Sequence, residues 1–331
     1  MSIQNIARDL VASGKGILAA DESNGTANKR FEALSIPQTF EMRRRWRELL
    51  FTTLGIETGI SGVILYDETI RQRSDDGIYL SKLLYDKGIL VGIKVDEGTD
   101  NLPNFPGEKI TKGLDNLEER LYEYKEMGAS FTKWRAVISI GEDLPTNEAI
   151  EANAYLLSQY SALSQKVGLV PIVEPEVLME GSHSMARCKE VTENAHKILF
   201  EYLKKYRVDL SGLILKSNMV LPGKDSDEKV SPKDVAEATL SVFKNAVPHD
   251  VPGIVFLSGG QSAIDATLNL NEIAKMGPQP WEVTFSYSRA LQSPVMEVWR
   301  GNDVNAERAQ EVFKMRIKET VAASGGKYQG K

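Results

Sequence analysis

The chain has 331 residues, of which 42% are hydrophobic and 26% are charged, and its formal net charge is -6. This composition is typical of a soluble globular protein, and the acidic balance argues against a general nucleic-acid-binding protein. No apolar run approaches the roughly 18 residues of a membrane span, and the polar N-terminus lacks the apolar core of a secretory signal. A single cysteine, Cys188, excludes an internal disulfide and suits a reducing compartment. We therefore expect a cytoplasmic protein without nucleic-acid or membrane partners.

Two further features of the composition exclude other kinds of site. The three histidines, His183, His196 and His249, lie far apart in sequence and lack metal-ligand spacing, so no zinc site is expected. The arginine triplet at residues 43–45 lies within a helical pattern. We interpret it as a solvated helix edge rather than as a polyanion-binding site.

Eight short apolar runs are the predicted strands. They are apolar on both faces, as strands of a buried parallel sheet are, and their spacing leaves room for a crossover helix after each. The predicted strands are residues 16–20, 62–66, 89–93, 130–134, 169–173, 212–215, 253–257 and 282–286.

Helical patterns fill the gaps between these strands. Apolar residues recur at helical spacing over 114–124, 195–206 and 309–317. Another helix is predicted from the pair Ser231 and Pro232, which supplies an N-cap and a first-turn proline. Residues 323–331 are expected to be unstructured and flexible.

Eight β-then-α units without a break in composition predict an α/β fold, a single-domain (β/α)8 TIM barrel over residues 1–331. The chain exceeds the length of about 250 residues that is typical of this fold, so helical extensions are expected at the N-terminus and after the last strand. A doubly wound open sheet is the alternative. It is disfavoured because no Gly-x-Gly-x-x-Gly motif follows the first strand.

Polar or charged residues follow nearly every predicted strand. A barrel collects the C-terminal ends of its strands around one mouth, so these residues should meet in space. The predicted mouth residues are Asp21, Glu22, Asp67, Lys94, Asp96, Lys133, Arg135, Glu174, Glu176, Lys216, Ser258, Gly259, Gly260 and Arg289. Each one alone is more often a surface residue or a structural ion-pair partner. Together they favour a catalytic site, because lysines held against carboxylates are costly for stability but allow pKa values to be tuned.

Lys216, after the sixth strand, is the candidate nucleophile of this site. Partial burial and a neighbouring cation make a lysine amine nucleophilic at neutral pH. The sequence therefore predicts an enzyme that forms a Schiff base with a sugar phosphate.

Two groups of residues are candidate phosphate sites. Ser258, Gly259 and Gly260 open a helix after the seventh strand and could offer backbone N–H groups, although a plain tight turn is equally compatible. Arg289, after the eighth strand, could add a bidentate contact. A second anion site is expected near Lys94, formed by Ser23, Gly25, Thr26, Lys29 and Arg30. Two anion sites flanking a lysine would suit a sugar bisphosphate.

At these motifs the chain closely resembles class I fructose-1,6-bisphosphate aldolase, the Schiff-base-forming type. The matching segments are residues 14–23, 92–96, 133–135, 172–176, 213–216 with 218–220, 256–262, and 284–287 with 289–291. They follow the family's order and cover nearly the whole chain. The resemblance implies reversible cleavage of fructose 1,6-bisphosphate to dihydroxyacetone phosphate and glyceraldehyde 3-phosphate, as in glycolysis and gluconeogenesis. It implies neither a metal nor an organic cofactor, because the iminium is the electron sink.

The resemblance also implies roles for individual residues. Lys216 would attack the C2 ketone, and Glu174 would be the general acid and base for imine formation. Asp21 would take the proton of the C4 hydroxyl. Lys133 would favour the neutral amine of Lys216, with Glu176 in the same polar network. The implied phosphate and substrate contacts are Ser258, Gly259, Ser288 and Arg289 at the C1 phosphate, Ser23, Thr26 and Lys94 at the C6 phosphate, and additionally Arg30 and Arg135.

Three departures from the family's pattern stand out. Ser217 replaces the usual proline after the Schiff-base lysine, and Ser288 adds a side chain near the phosphate where glycine is usual. The chain also ends at Lys331 without the terminal tyrosine that assists proton exchange in animal members, and Tyr328 does not match that position. The group that protonates the enamine is therefore left open between Glu174 and a water.

Other functions stay open at this point. The first is a different Schiff-base enzyme, such as a transaldolase or an aldolase for fructose 1-phosphate. The second is a non-catalytic scaffold with the same fold, which the intact set of candidate catalytic residues disfavours. A metal-dependent aldolase is disfavoured by the sparse histidines. The resemblance suggests a homotetramer, which the sequence alone does not distinguish from a dimer or a monomer.

Overall fold

A closed barrel of eight parallel strands forms the centre of the computed structural model, which describes residues 1–330. The barrel strands are β1 (Gly16–Ala20), β2 (Ile60–Leu65), β3 (Leu90–Lys94), β6 (Phe131–Ile138), β7 (Val170–Val177), β8 (Ile214–Ser217), β9 (Gly253–Phe256) and β10 (Glu282–Tyr287). Each pairs with the next in the chain, and β1 pairs with β10 to close the barrel. A separate antiparallel hairpin, β4 (Thr99–Asn101) and β5 (Lys109–Thr111), lies between β3 and β6 in the chain. The predicted TIM barrel is confirmed.

Helices separate most of the barrel strands and extend the fold at both ends. They are α1 (Ile3–Leu10), α2 (Asn24–Glu32), α3 (Phe40–Thr52), α4 (Asp67–Arg71), α5 (Leu80–Asp86), α6 (Leu117–Glu126), α7 (Asn147–Val167), α8 (Met185–Lys205), α9 (Pro232–Ala246), α10 (Ala263–Lys275), α11 (Arg289–Trp299) and α12 (Ala306–Ser324). The predicted start of α9 is confirmed, since Ser231 caps the helix in a reciprocal capping box with Asp234. Within residues 1–330, no helix combines the length and apolar character that a membrane crossing requires.

Apolar side chains fill the lower part of the barrel, and α1 closes its N-terminal end. The buried cluster there consists of Ile6, Ala7, Leu10, Val11, Ile17, Ala19, Ile64, Phe131, Val170, Ile172, Ile214 and Val255. A Cβ atom at Gly92 would lie 2.2 Å from the Phe131 ring, so glycine on β3 makes room for this large side chain. The C-terminal ends of the strands therefore lie at the opposite end of the barrel from α1.

Several predicted element boundaries were wrong. The strand predicted at 169–173 is Val170–Val177, and the one at 130–134 is Phe131–Ile138. The charged residues after each predicted end continue the strand instead of following it, because their backbones keep pairing across the whole length of both strands. The strand predicted at 212–215 is Ile214–Ser217, and α6 begins at Leu117 rather than near 114.

The prediction of a solvated edge at residues 43–45 was also wrong. Arg44 is only 8% exposed and forms ion pairs with Glu41, Glu48 and Asp75. Arg43 pairs with Glu68 at 2.7 Å. Glu68 and Asp75 lie outside the helix, and helical periodicity alone cannot reveal these partners.

The C-terminal end is more ordered than predicted. The helix α12 continues to Ser324, and the backbone N–H of Tyr328 donates to Asn271 Oδ1 at 2.9 Å. The Tyr328 side chain packs against the main hydrophobic core. Lys331, the last residue of the predicted flexible segment, lies outside the described residues.

Candidate functional site

The candidate site is built from inward-facing strand positions directly above the apolar filling of the barrel. On β8, Ile214 belongs to the buried interior cluster, and Lys216, two residues further on, faces the mouth. Phe131 and Lys133 repeat this relation on β6, and β7 leads in the same way to Glu174. Because side chains alternate between the two faces of a strand, three neighbouring strands carry their charges to one level of the barrel.

Asp21, which directly follows β1, joins these three charged side chains. Together they form one buried cluster of charges, hereafter the lysine–carboxylate cluster: Asp21, Lys133, Glu174 and Lys216. Lys133 Nζ lies 2.6 Å from Asp21 Oδ2 and 3.0 Å from Glu174 Oε2. Lys216 Nζ lies 3.0 Å from Glu174 Oε1. Each of the four residues is at most 8% exposed. Glu174 is thus the carboxylate that lies between the two lysines.

The electrostatics of the cluster distinguish the two lysines. Burial alone would raise the pKa of Asp21, but the charges of Lys133 and Lys216 lower it to about 2. Burial would likewise raise the pKa of Glu174, and the same two lysines lower it. Burial would lower the pKa of Lys133, yet Asp21 and Glu174 raise it. Lys133 therefore stays an ammonium between two carboxylates, whereas Lys216 contacts a single carboxylate, that of Glu174.

A cavity of about 1100 Å³ lies above this cluster. Most residues predicted for the site line it: Asp21, Ser23, Thr26, Arg30, Lys94, Lys133, Arg135, Glu174, Glu176, Lys216, Ser258, Gly259, Ser288 and Arg289. Gly25 and Gly260, which were also predicted, are not among the lining residues. The structure therefore brings most of the predicted set together, although the sequence separates Asp21 from Arg289 by more than 260 residues. The cavity volume lies slightly above the range of roughly 300 to 1000 Å³ that is typical of small-molecule sites.

One side of the cavity is formed by the loop after β9 and the start of α11. Gly259 has φ +56°, a left-handed conformation that favours glycine in this turn. Ser288 is the N-cap of α11, but its side chain makes no capping hydrogen bond and instead donates to Glu22 Oε1 at 2.6 Å. The helix N-terminus that begins with Arg289 is thus left without a side-chain cap on the cavity side.

Another part of the cavity wall carries Lys94 and the start of α2. Lys94 Nζ lies 2.6 Å from Asp96 Oδ1 and also donates to the Asp96 carbonyl at 2.7 Å. Ser23 caps α2, with its Oγ 3.1 Å from Thr26 Oγ1. Both hydroxyls and the lysine line the cavity, as the sequence predicted.

Arg30 lies on a different side from the one predicted. Its guanidinium forms an ion pair with Glu22 and lies 3.5 Å from Ser288 Oγ, which places it by the start of α11 rather than with Lys94. Glu22 also pairs with Arg47 at 2.6 Å. The helical spacing of α2 turns Arg30 towards this buried carboxylate, an outcome that depends on where Glu22 lies in the fold.

Arg135 and Glu176 form an ion pair at the upper edge of the cluster. Burial alone would lower the pKa of Arg135, but Glu176 raises it, so the guanidinium stays charged. The Arg135 side chain is 41% exposed and lines the cavity. It is available to a substrate that enters from solvent.

Sequence reasoning missed polar residues that lie close to the lysines in the chain but do not line the cavity. Thr132, next to Lys133 on β6, has its Oγ1 2.8 Å from Tyr160 Oη. Asn218 appeared only as part of a motif, yet its Oδ1 accepts a hydrogen bond from the Val177 backbone N–H at 3.1 Å. Alternation on β6 could have placed Thr132 on the outer face. No sequence signal indicates the bridge made by Asn218, because it spans two strands.

The fold and this site define a barrel enzyme whose cavity is built around two buried lysines. Comparison with known proteins identifies the family. The family model described as fructose-bisphosphate aldolase class-I matches residues 2–331. The chain therefore belongs to the class I fructose-bisphosphate aldolase family, and the predicted resemblance is confirmed.

Individual relatives agree with this assignment. A probable fructose-bisphosphate aldolase class 1 from Xanthomonas campestris pv. campestris is 48% identical over 334 residues, with both chains fully covered. The cytosolic fructose-bisphosphate aldolase 4 of Arabidopsis thaliana is 47% identical over 96% of this chain and 81% of its own. The solved fructose-bisphosphate aldolase of Plasmodium falciparum, in a ternary complex with TRAP and a small-molecule inhibitor, has a TM-score of 0.98 at 44% identity. That match covers 99% of this chain and 95% of the other.

Proposed function

We propose that this protein catalyses the reversible cleavage of fructose 1,6-bisphosphate to dihydroxyacetone phosphate and glyceraldehyde 3-phosphate through an imine on Lys216. The observation that carries the proposal is the buried contact of Lys216 Nζ with Glu174 Oε1 at 3.0 Å, beside a second, permanently charged lysine. Membership of the class I aldolase family supports the same reaction.

Imine formation uses Lys216 and Glu174. Glu174 takes a proton from the Lys216 ammonium, and the neutral amine attacks the C2 ketone of the open-chain sugar to give a carbinolamine. Glu174 then returns the proton to the carbinolamine hydroxyl, which leaves as water while the C2–nitrogen double bond forms. The 3.0 Å contact supports this transfer because it is within direct hydrogen-bonding range.

Cleavage of the C3–C4 bond uses Asp21 and Lys133. Asp21, fully ionised at neutral pH because its pKa is about 2, takes the proton of the C4 hydroxyl. The bonding pair of C3–C4 moves into the iminium, which leaves an enamine on Lys216 and releases glyceraldehyde 3-phosphate. Lys133 stays protonated and stabilises negative charge that develops at the reacting atoms.

Release of the second product requires protonation of the enamine at C3 and hydrolysis of the imine by water. Tyr328 does not line the cavity, and its backbone is held by Asn271 instead. We propose that Glu174, or a water that it orients, delivers this proton. Its position beside the imine nitrogen supports the assignment.

The two ends of the substrate are assigned to opposite groups of cavity residues. Ser258, Gly259 and Arg289 would hold the C1 phosphate at the uncapped start of α11, where backbone N–H groups and the helix dipole favour an anion. The remaining contacts proposed for the substrate are Ser23, Thr26 and Lys94 at the C6 phosphate, with Arg30, Arg135 and Ser288 along the cavity wall. Glu176 is proposed to belong to the polar network of Lys133 and Lys216.

Borohydride reduction in the presence of dihydroxyacetone phosphate tests the proposal. Peptide mass mapping should find a stable adduct on Lys216, because the reductant converts an imine into a secondary amine. An adduct on another lysine would support imine chemistry but would assign it to a residue other than Lys216. Folded protein without an adduct would contradict the proposal and favour a scaffold or a metal-dependent enzyme.

Substitution of Lys94 separates the bisphosphate from a fructose 1-phosphate substrate. If Lys94 binds the C6 phosphate, Lys94→Ala should lower kcat/KM for fructose 1,6-bisphosphate by about tenfold or more, since a charged hydrogen bond contributes roughly 1.5 to 3 kcal/mol. Cleavage of fructose 1-phosphate should change little. An equal loss with both sugars would show that the C6 assignment is wrong.

Three further expectations belong to this proposal. We propose one domain over residues 1–331, a cytoplasmic location and a homo-oligomer, with the homotetramer that the family resemblance suggests. The name of the Arabidopsis relative, a cytosolic enzyme, supports the location. Size-exclusion chromatography with light scattering tests the oligomeric state.

A further inference from the structure

Lys216 lies where the backbone pairing of β7 with β8 ends. The two strands pair at Ile172 with Ile214 and at Val173 with Leu215, and this ladder does not continue to Glu174 and Lys216. On its other side, Lys216 is still paired with β9. Backbone pairing between β7 and β8 therefore does not fix the 3.0 Å contact between Lys216 and Glu174.

The outer face of β8 carries a hydrogen-bonded pair next to Lys216. Ser217 is fully buried, and its Oγ lies 3.2 Å from Nε2 of His196 on α8. The same hydroxyl lies 3.0 Å from the Asn218 carbonyl oxygen. His196 is also fully buried, with its ring 5.8 Å from that of Phe243. These groups have no role in the proposed reaction itself.

The direction of these hydrogen bonds follows from the donors available. A carbonyl oxygen only accepts, so the single Ser217 hydroxyl proton is donated to Asn218, and His196 Nε2–H donates to Ser217 Oγ. His196 Nδ1 has no hydrogen-bond partner within residues 1–330, which is more tolerable for a lone pair than for an N–H group. Burial lowers the pKa of His196 to about 4, in keeping with a neutral ring.

Asn218 extends this connection to β7. Its Oδ1 accepts a hydrogen bond from the Val177 N–H at 3.1 Å, and its Nδ2 donates to Thr192 Oγ1 on α8 at 3.3 Å. Val177 lies three residues beyond Glu174 on the same strand. The buried groups thus join α8, β8 and β7 at the level of the two catalytic candidates, beyond the end of the β7–β8 ladder.

We propose that the hydrogen bond from His196 to Ser217 positions Lys216 against Glu174, which makes His196 a positioning residue for imine formation. The inference rests on the proposed function, because it assigns a role in chemistry at Lys216. It concerns Ser217, the residue that directly follows Lys216 on β8. Serine, unlike proline, does not fix its own φ angle, so the bond to His196 constrains the strand from outside.

The test compares imine formation in four variants, and in one rescue variant, with the parent protein. His196→Leu and Ser217→Ala each remove one partner, the double variant removes both, and His196→Gln keeps an N–H donor as the conservative control. The readout is the rate at which borohydride with saturating dihydroxyacetone phosphate labels Lys216, measured where urea unfolding shows each variant to be folded. A merely structural role would change the unfolding midpoint and leave this rate unchanged.

We expect each single removal to slow labelling on the order of tenfold, since displacement of a reacting group by even 1 Å can cost up to about a hundredfold. The double variant should be no slower than the slower single variant, because the partners act through one bond. His196→Gln should stay close to the parent. Ser217→Pro placed in the His196→Leu background should recover part of the lost rate, because proline restores the backbone constraint.

Equal labelling rates in the parent, His196→Leu and Ser217→Ala would overturn the inference while leaving the proposed function intact. The inference would also be overturned if the loss of labelling rate in the double variant equalled the product of the losses in the two single variants. If His196→Leu does not fold, the comparison of Ser217→Ala with His196→Gln and the parent carries the test. A parent protein that is not labelled on Lys216 would instead refute the proposed function, and this inference would fall with it.

Discussion

The two ends of the barrel use the same inward-facing strand positions in opposite ways. At the lower end, Leu10 of α1 and Phe131 of β6 belong to a fully apolar cluster. At the mouth, Lys133 on the same strand as Phe131 is buried among carboxylates. A shift of two residues along one strand therefore separates an apolar layer from a charged one.

The two layers therefore have different roles: the apolar layer stabilises the fold, and the charged layer serves the proposed chemistry. Burial of apolar side chains stabilises the fold by roughly 1.5 to 3 kcal/mol per large residue. Buried ion pairs contribute little or nothing net to stability, because desolvation offsets their attraction. The lower layer can therefore hold the barrel closed while the upper layer keeps the Lys133 ammonium close to the carboxylate that contacts Lys216.

The largest effect is expected for Lys216→Met at the mouth. Removal of the proposed nucleophile should lower kcat for fructose 1,6-bisphosphate by at least about a thousandfold, because the covalent route is lost. The unfolding midpoint should change little, since a side chain of similar length replaces an ammonium that was costly to bury. A coupled assay of triose phosphate release and thermal unfolding of the same sample check both parts. Retention of most of the activity would contradict the division of roles between the two layers.

A smaller effect, and on stability only, is expected at the lower end. Leu10→Ala should lower the free energy of unfolding by about 2 to 5 kcal/mol, as for other large-to-small substitutions in a core. The kcat of the folded protein should stay within about twofold of the parent, because no atom of the lysine–carboxylate cluster loses a partner. Leu54→Ala is the matched control: Leu54 is 76% exposed, and its loss should change stability by about 0.5 kcal/mol or less. A large fall in kcat for Leu10→Ala would show that the two layers are coupled.

The sequence predicted most of this arrangement, and the reason lies in its strands. Apolar runs that end in charged residues locate both the barrel and its mouth, and most residues predicted for the site line one cavity. Strand ends were less predictable, because inward-facing charges such as Glu174 interrupt an apolar run without ending the strand. Hydrophobicity alone cannot distinguish a buried charged position from a loop.

Contacts between distant elements could not be predicted. Arg44 forms an ion pair with Asp75, and Arg30 is turned towards Glu22 and Ser288; both outcomes depend on how helices pack on the barrel. The pairing of His196 with Ser217 is equally invisible in sequence, since only the fold brings α8 against β8. Local patterns indicate which residues face inward, whereas the partners of buried polar groups require the tertiary structure.

The smallest expected effect is the acid sensitivity of the mouth. The pKa of Asp21 is lowered from 3.8 to about 2 in the folded protein, so its ionised form stabilises the fold above pH 3.8. This contribution, about 2 to 3 kcal/mol, is lost as the pH falls from 3.8 to about 2, since one pKa unit corresponds to about 1.4 kcal/mol. Urea unfolding of the parent and of Asp21→Asn between pH 5 and 2 measures it, and the variant should show the flatter dependence. If the free energy of unfolding changed with pH equally in both proteins, Asp21 would contribute nothing to the pH dependence of stability, and the mouth would not differ from the lower end in this respect.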